Sequence, residues 1–335
     1  MYVDGGIPTQ LSEAAAAARK AEAEGYDALW VAETNHDPFL PLTLAAPATA
    51  RVELGTAITV AFARSPMTLA ATAWDLQGWS QGRFLLGLGS QIRPHIERRF
   101  SMPWSHPAPR MKEFISAMRA IWATWQDGTK LDFRGDFYTH TLMTPFFDPG
   151  PLPVPPPKVY LAAVGPAMTK VAAEVGDGLL VHPFSTERYL REVTLPTVDA
   201  ALEERGAARR NFQLAWPVFV VSGANDEERA GLDHLVRRQI SFYGSTPAYR
   251  AVLELHGWGD LQGELNRLSK QGKWEEMAGL IDDDMLEAFA VVSEVDELGS
   301  AIRRRCEGLV DRISFYGLPT FDDDARATFL AQLRG

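Results

Sequence analysis

The chain has a single cysteine, Cys306, among its 335 residues, so no disulfide can close within it. That usage suits a reducing compartment, and a cytoplasmic location is the expectation. Cys306 falls in a helical stretch over 301–306, where packing rather than nucleophilic chemistry is expected. No apolar run approaches the ~18 residues needed to span a bilayer. The N-terminus lacks the basic start and long apolar core of a signal peptide, and no membrane partner is expected. Positive charge is also short: 33 Lys and Arg stand against 43 Asp and Glu, a formal net charge of −10. A nucleic-acid partner needs a clustered basic surface, so none is expected either. Histidine and cysteine show no zinc spacing. The acidic runs 282–284 and 322–324 sit beside helical patterns and read as caps or solvated surface, so no metal is expected. There is no Gly-Xaa-Ser-Xaa-Gly elbow and no repeat of solenoid period.

What is present argues for a large core. Apolar residues make up 46% of the chain and charged residues 23%, with nine Trp, a composition opposed to disorder. Strand patterns fall at 1–5, 26–32, 53–62, 84–89, 158–163, 178–182, 212–221 and 312–316. Helical patterns follow at 9–24, 40–50, 66–79, 109–125, 168–175, 185–204, from 226 onward, and at 322–333. The first of these has Thr9 or Ser12 as cap and Gly25 as stop. The fourth shows its period through Met111, Phe114, Met118, Ile121 and Trp122. Eight strands, each trailed by helix, predict one (β/α)₈ TIM barrel domain over 1–335. Two insertions interrupt it. One spans about 127–157 and ends in Pro149, Pro151, Pro153, Pro155, Pro156 and Pro157, a run that cannot be helical. The other spans about 241–294 and is helical. The alternative is an open, doubly wound sheet with a second domain split off at the prolines.

In a barrel the C-terminal strand ends build the active site. Glu33-Thr34-Asn35-His36-Asp37-Pro38 is the densest polar cluster at such an end. Glu33, Thr34 and His36 are the catalytic candidates there, as acid, base or cofactor contact; a capped turn would use the same residue types. Gly87-Leu88-Gly89-Ser90-Gln91 ends the fourth strand in small residues and a polar pair, where a flat ring could approach the backbone. It is not a dinucleotide fingerprint, because Ile92 stands at the third glycine. Close strand packing would also call for these glycines. Gly165-Pro166-Ala167-Met168 opens a helix whose free N–H groups suit phosphate, or is an ordinary helix start. His182 ends the sixth strand and should face the same mouth. Trp104, Phe137, Tyr138, Phe242, Tyr243 and Trp258 are candidate pocket walls.

Several stretches together resemble the bacterial luciferase-like superfamily, and within it the oxidoreductases that use the deazaflavin coenzyme F420. They are Glu24-Gly25-Tyr26-Asp27-Ala28-Leu29-Trp30, Gly55-Thr56-Ala57-Ile58-Thr59 with Arg64-Ser65-Pro66, and Gly82-Arg83-Phe84-Leu85-Leu86-Gly87-Leu88-Gly89. Further ones are Arg110-Met111-Lys112-Glu113-Phe114, Gly165-Pro166-Ala167-Met168 and Val175-Gly176-Asp177-Gly178. The resemblance implies a TIM barrel with a long excursion before the last strand. It puts Glu33 at the family's acidic position, with the neighbouring histidine displaced: Thr34 comes next and His36 further on. It puts Ala57 and Ile58 at a non-proline cis peptide in a bulge of the third strand, backing the ring, with Thr59 beside them. Ser90 and Gln91 match cofactor-contacting positions, and Gly165, Pro166, Ala167 and Met168 the phosphate grip. Ile92 stands where sugar-phosphate members carry a glutamate, which speaks against a sugar-phosphate substrate. The implied activity is hydride transfer between F420 and a small organic substrate, in a homodimer. The alternatives are an FMN-dependent monooxygenase and a non-catalytic flavin or deazaflavin binder.

Overall fold

The computed structural model describes all 335 residues. Eight parallel strands form its centre: β1 (Tyr2–Val3, continuing as Gly5–Gly6), β2 (Ala28–Val31), β3 (Glu53–Thr56, resuming as Thr59–Val60) and β4 (Phe84–Gly89). They are followed by β5 (Lys158–Ala163), β6 (Gly178–Val181), β7 (Gln213–Val221) and β8 (Arg312–Tyr316). Each strand pairs with its sequence neighbour, and β1 joins the two ends: Tyr2–Val3 pairs with β8 and Gly5–Gly6 with β2. The sheet thus closes on itself. That removes the open-sheet alternative and fixes every strand's C-terminal end on one face.

Around the sheet lie α1 (Leu11–Glu24), α2 (Phe39–Ala45), α3 (Pro66–Trp79), α4 (Pro107–Asp127), α5 (Pro166–Val175), α6 (Leu195–Arg205), α7 (Leu298–Cys306) and α8 (Asp323–Arg334). Their apolar faces meet the outward residues of the strands in one large core. Met111, Phe114, Met118, Ile121 and Trp122 of α4 are all buried, as their spacing requires. Gly25 stops α1 in the left-handed region at φ 93°, where a side chain would be strained. The start of α1 differs from expectation: Gln10 is its cap residue and makes no side-chain bond, so neither Thr9 nor Ser12 caps it. The two acidic runs do cap helices. Asp282 accepts the Met285 N–H and Asp322 the Ala325 N–H. No helix is long and apolar enough to cross a membrane. Cys306 is fully buried, and burial pushes its thiol up to about 12, away from nucleophilic use.

The first excursion forms a hairpin, Phe133–Arg134 against Thr139–His140. Glu113 of α4 holds it by accepting the N–H groups of Asp136, Phe137 and Tyr138. The proline run is pinned to α3, where Gln77 donates to the Pro155 carbonyl at 2.8 Å. The second excursion is a set of helices packed on Asp226–Gly244 with a core of its own around Phe184, Phe219 and Phe289. It returns as a short strand, Ala290–Val292, parallel to the end of β7. This places Tyr243 and Tyr249 over the barrel mouth.

Inside the barrel the floor is ionic. Arg312 donates to Asp4 twice, at 2.8 and 3.0 Å, and to Glu53 at 2.6 Å, and Trp30 adds an indole N–H to Asp4 at 2.9 Å. Arg312 and Asp4 are each 1% exposed. Burial works against the guanidinium charge, but the two carboxylates outweigh it and hold Arg312 above its ordinary value. Arg312→Leu leaves Asp4 buried without its cation. It should cost about 3–5 kcal/mol in urea unfolding, with much of this regained in Asp4→Leu/Arg312→Leu. A loss under about 1 kcal/mol, the scale of an exposed pair, would show that the floor does not depend on this contact.

Candidate active site in the barrel mouth

Above that floor opens a cavity of about 770 Å³ at the C-terminal end of the strands. Strand geometry builds its walls, since every second residue of a strand faces inward. Trp30 and Ala32 come from β2 and its end, Ala162 from β5, Leu180 and His182 from β6 and its end, Pro217 from β7, and Ser314 and Tyr316 from β8. Most of the lining is apolar, as in pockets for flat organic ligands.

One wall is the interruption of β3. The β2–β3 ladder runs regularly as far as Val31 opposite Thr56. The Ala57–Ile58 peptide that follows is cis, and β3 resumes against β4 with Thr59 opposite Leu88 and Val60 opposite Gly89. Ala57 and Ile58 line the cavity. Glu33 fixes this bulge from behind. Its own N–H donates to the Ile58 carbonyl at 3.1 Å. Its carboxylate accepts the Val60 N–H at 2.8 Å and two contacts from the Arg64 guanidinium at 2.7 and 3.0 Å. Arg64 also reaches Asp37 at 3.2 Å. The bulge presses on β4, which explains the two glycines there. A Cβ at residue 87 would lie 1.8 Å from the Thr56 carbonyl oxygen, and one at residue 89 within 2.7 Å of Ile58. Thr56 completes the contact by donating to the Gly87 carbonyl at 2.8 Å and accepting its N–H at 3.0 Å.

His182, at the end of β6, also lines the cavity. Its Nδ1 accepts the Phe184 N–H at 3.1 Å, so the neutral ring carries its proton on Nε2, which no protein group engages. Tyr243 and Tyr249 clamp the ring, with centroids at 4.6 and 4.7 Å. Burial pulls His182 down to about 4. Burial also pushes the Tyr243 hydroxyl up, with Tyr316 adding to the shift, so it stays a neutral phenol.

Of the residues singled out in the sequence, Thr34, Ala57, Ile58 and His182 line this cavity. Glu33 lies behind its wall, with its carboxylate committed to Val60 and Arg64. His36 is exposed on the loop beyond β2, and Thr59 is buried with an unpartnered hydroxyl. Ser90 and Gln91 follow β4 on the same face, half-buried, beside the cavity rather than in its lining. Gly165 precedes α5 without a side-chain cap, and Pro166 and Ala167 are exposed there, with Met168 half-buried. A Cβ on Gly165 would meet nothing within 4 Å, so the helix start is open. Among the proposed walls only Tyr243 reaches the cavity. Trp104 packs on Phe62, Tyr138 accepts a bond from Arg110, Trp258 stacks on His256, and Phe242 is 49% exposed. Phe137 packs against His106. Trp30, Ala162, Pro217, Ser314 and Tyr316 were missed; period-two parity from the strand ends would have found them.

The His182 pKa has a stability consequence. The folded value, about 4, lies below the unfolded one, about 6.5, so the unfolded chain binds the extra proton between them. The stabilisation is complete above the unfolded value and is lost as pH falls toward the folded one. His182→Phe should remove about 2 kcal/mol of the stability difference between pH 7 and pH 5 in urea unfolding. An unchanged pH slope would place His182 in water rather than under Tyr243.

Comparison with known proteins bears on the family and the fold. The sequence profile described as luciferase-like monooxygenase matches residues 3–312. A protein of Mycobacterium tuberculosis, itself uncharacterized, is 59% identical over 96% of this chain and 93% of its own. The 5,10-methylenetetrahydromethanopterin reductase of Archaeoglobus fulgidus is 28% identical over 83% of this chain and 81% of its own. Among solved structures, the coenzyme F420-dependent tetrahydromethanopterin reductase of Methanopyrus kandleri superposes with a TM-score of 0.77 at 19% identity, covering 98% of this chain and 96% of that one; this likeness concerns the fold. By the match of that profile along nearly its whole length, the chain belongs to the luciferase-like monooxygenase family.

Proposed function

We propose that the chain is an oxidoreductase that moves a hydride between the deazaflavin coenzyme F420 and a small organic substrate. The observation that carries this reading is the wall at Ala57–Ile58, facing an apolar cavity and locked from behind by Glu33 and Arg64. An apolar wall tied to its neighbours on both sides suits the face of a flat ring. The similarity to methylenetetrahydromethanopterin reductase and to a fold that binds F420 supports the choice of coenzyme.

The residues present fit such a group. Ala57 and Ile58 would back the ring, and Thr59, with its unpartnered buried hydroxyl, stands next to them. Ser90 and Gln91 would border the ring at the end of β4. The open start of α5 at Gly165, Pro166, Ala167 and Met168 would take the phosphate, through free N–H groups and the positive end of the helix dipole. When bound, the deazaflavin supplies or accepts the hydride. The protein's share is orientation and exclusion of water by Trp30, Leu180 and Tyr243. His182 offers a neutral N–H donor to an oxygen or nitrogen of the substrate. Its depressed pKa keeps it from acting as a cation above pH 5. Glu33 acts through the peptide it anchors, and Thr34 contributes a hydroxyl at the rim. His36 is the remaining candidate on that loop and would need the loop to fold inward.

Titration of the purified protein with F420, followed by deazaflavin fluorescence, should saturate in the micromolar range, and FMN should bind at least tenfold more weakly. Glu33→Gln keeps the shape but weakens the hold on Arg64, and should reduce F420 affinity about tenfold or more, the worth of one charge-assisted bond. Tight FMN binding with no F420 signal would replace this reading with the flavin monooxygenase, the activity that the family's description carries.

A further inference from the structure

The cavity has a second arm. Above Val3 opposite Ile313, β1 and β8 stop pairing, and the Asp4 N–H to the Ile313 carbonyl at 2.7 Å is the last bond between them. Gly5–Gly6 turns to β2, and Ser314–Tyr316 stays with β7. The barrel wall is therefore unzipped at one place, and there β1 carries no side chains. The cavity continues through this seam into the space between α1 and α8, lined by Ala17, Ala21, Tyr26, Phe315 and Leu318. At its outer end stand Lys20, Glu24 and Arg326, with Arg326 donating to Glu24 at 3.3 Å.

We propose that this arm binds a linear apolar chain of the substrate: the reacting group stays in the barrel mouth, and an alkyl or prenyl tail runs out through the β1–β8 seam between α1 and α8. The proposal rests on the mouth being the site of reaction and adds a substrate class to it. Four features support it. The opening starts where two strands paired at about 4.8 Å begin to part, so its shape is a slot bounded by backbone, which favours an unbranched chain. Gly5 and Gly6 leave bare backbone on the β1 side of the slot, and a Cβ at residue 5 would already lie 3.3 Å from Tyr26, which lines the arm. The walls beyond are small or apolar, and well-packed helix pairs do not normally leave such a gap unfilled. Apart from Asp4 at the foot of the seam, which is paired with Arg312, the charged groups meet the arm at its far end, where a chain would emerge.

The probe is cis-parinaric acid, a linear polyene acid that fluoresces on entering an apolar site. It should bind saturably in the micromolar range and remain bound when F420 is added. Ala21→Trp, which plugs the arm, should weaken it at least tenfold, and the milder Ala17→Leu several-fold, with F420 affinity unchanged in both. Absence of a saturable signal, equal affinity in the plugged variants, or one-for-one displacement by F420 would overturn the proposal. F420 is followed at its own absorption band. Loss of that signal alone bears on the hydride-transfer reading, and loss of the parinarate signal alone bears on the arm.

Discussion

The site depends on one close approach, the contact of the β3 bulge with β4. With the Thr56 carbonyl against residue 87, only glycine fits there, and a side chain at residue 89 would have to displace the Ile58 side chain. Thr56 ties the two backbones together by both donating to and accepting from Gly87. On the other side Glu33 takes up the Val60 N–H and the Arg64 guanidinium, in a place where its side chain is only 8% exposed. The Ala57–Ile58 peptide is thus tied to β4 through Thr56 on one side and to the half-buried Glu33–Arg64 pair on the other. These ties hold the interruption of the β3 ladder in place as one wall of the cavity.

The rest of the barrel arranges polarity around this wall. The ionic cluster of Arg312, Asp4 and Glu53 lies at the floor, where it joins strands from the two ends of the chain. Between floor and mouth the interior is apolar, with Trp30, Leu85, Tyr160, Leu180 and Ala215 in one cluster. At the mouth the polar groups that remain are neutral: the imidazole of His182 and the phenol of Tyr243. Neutral donors in an apolar cavity orient a reacting group without the desolvation cost of a buried charge. The closing helices over 226–289 complete the arrangement by bringing Tyr243 and Tyr249 onto His182.

Much of the fold was legible because its signals are local. Strand runs, helix periods, the Gly25 stop and the caps at Asp282 and Asp322 each lie within a few residues of what they determine. The glycines at 87 and 89 were also visible, but whether they served a ring or strand packing was not: their neighbour Thr56 is 31 residues away in the chain. Glu33 could be placed at a strand end, yet its partner Arg64 lies another 31 residues on, and sequence gives no sign that its carboxylate faces away from the cavity. The aromatic walls were hardest to see. Trp104 and Trp258 have the composition of pocket residues but are half-buried against the core clusters, while Tyr316 and Pro217 reach the cavity only because β7 and β8 point them inward. The start of α1 was misread because Thr9 and Ser12 are good capping types, whereas the helix begins after Gln10 with its first N–H groups uncapped by a side chain.

The most direct measurement is a crystal structure of the protein soaked with F420. The deazaflavin ring is expected to lie in van der Waals contact with the Ala57–Ile58 peptide, facing His182, with its phosphate at the start of α5. Density for the ring on any other surface, or a complex in which Ala57–Ile58 stays open to water, would contradict the assignment of this wall as the redox site.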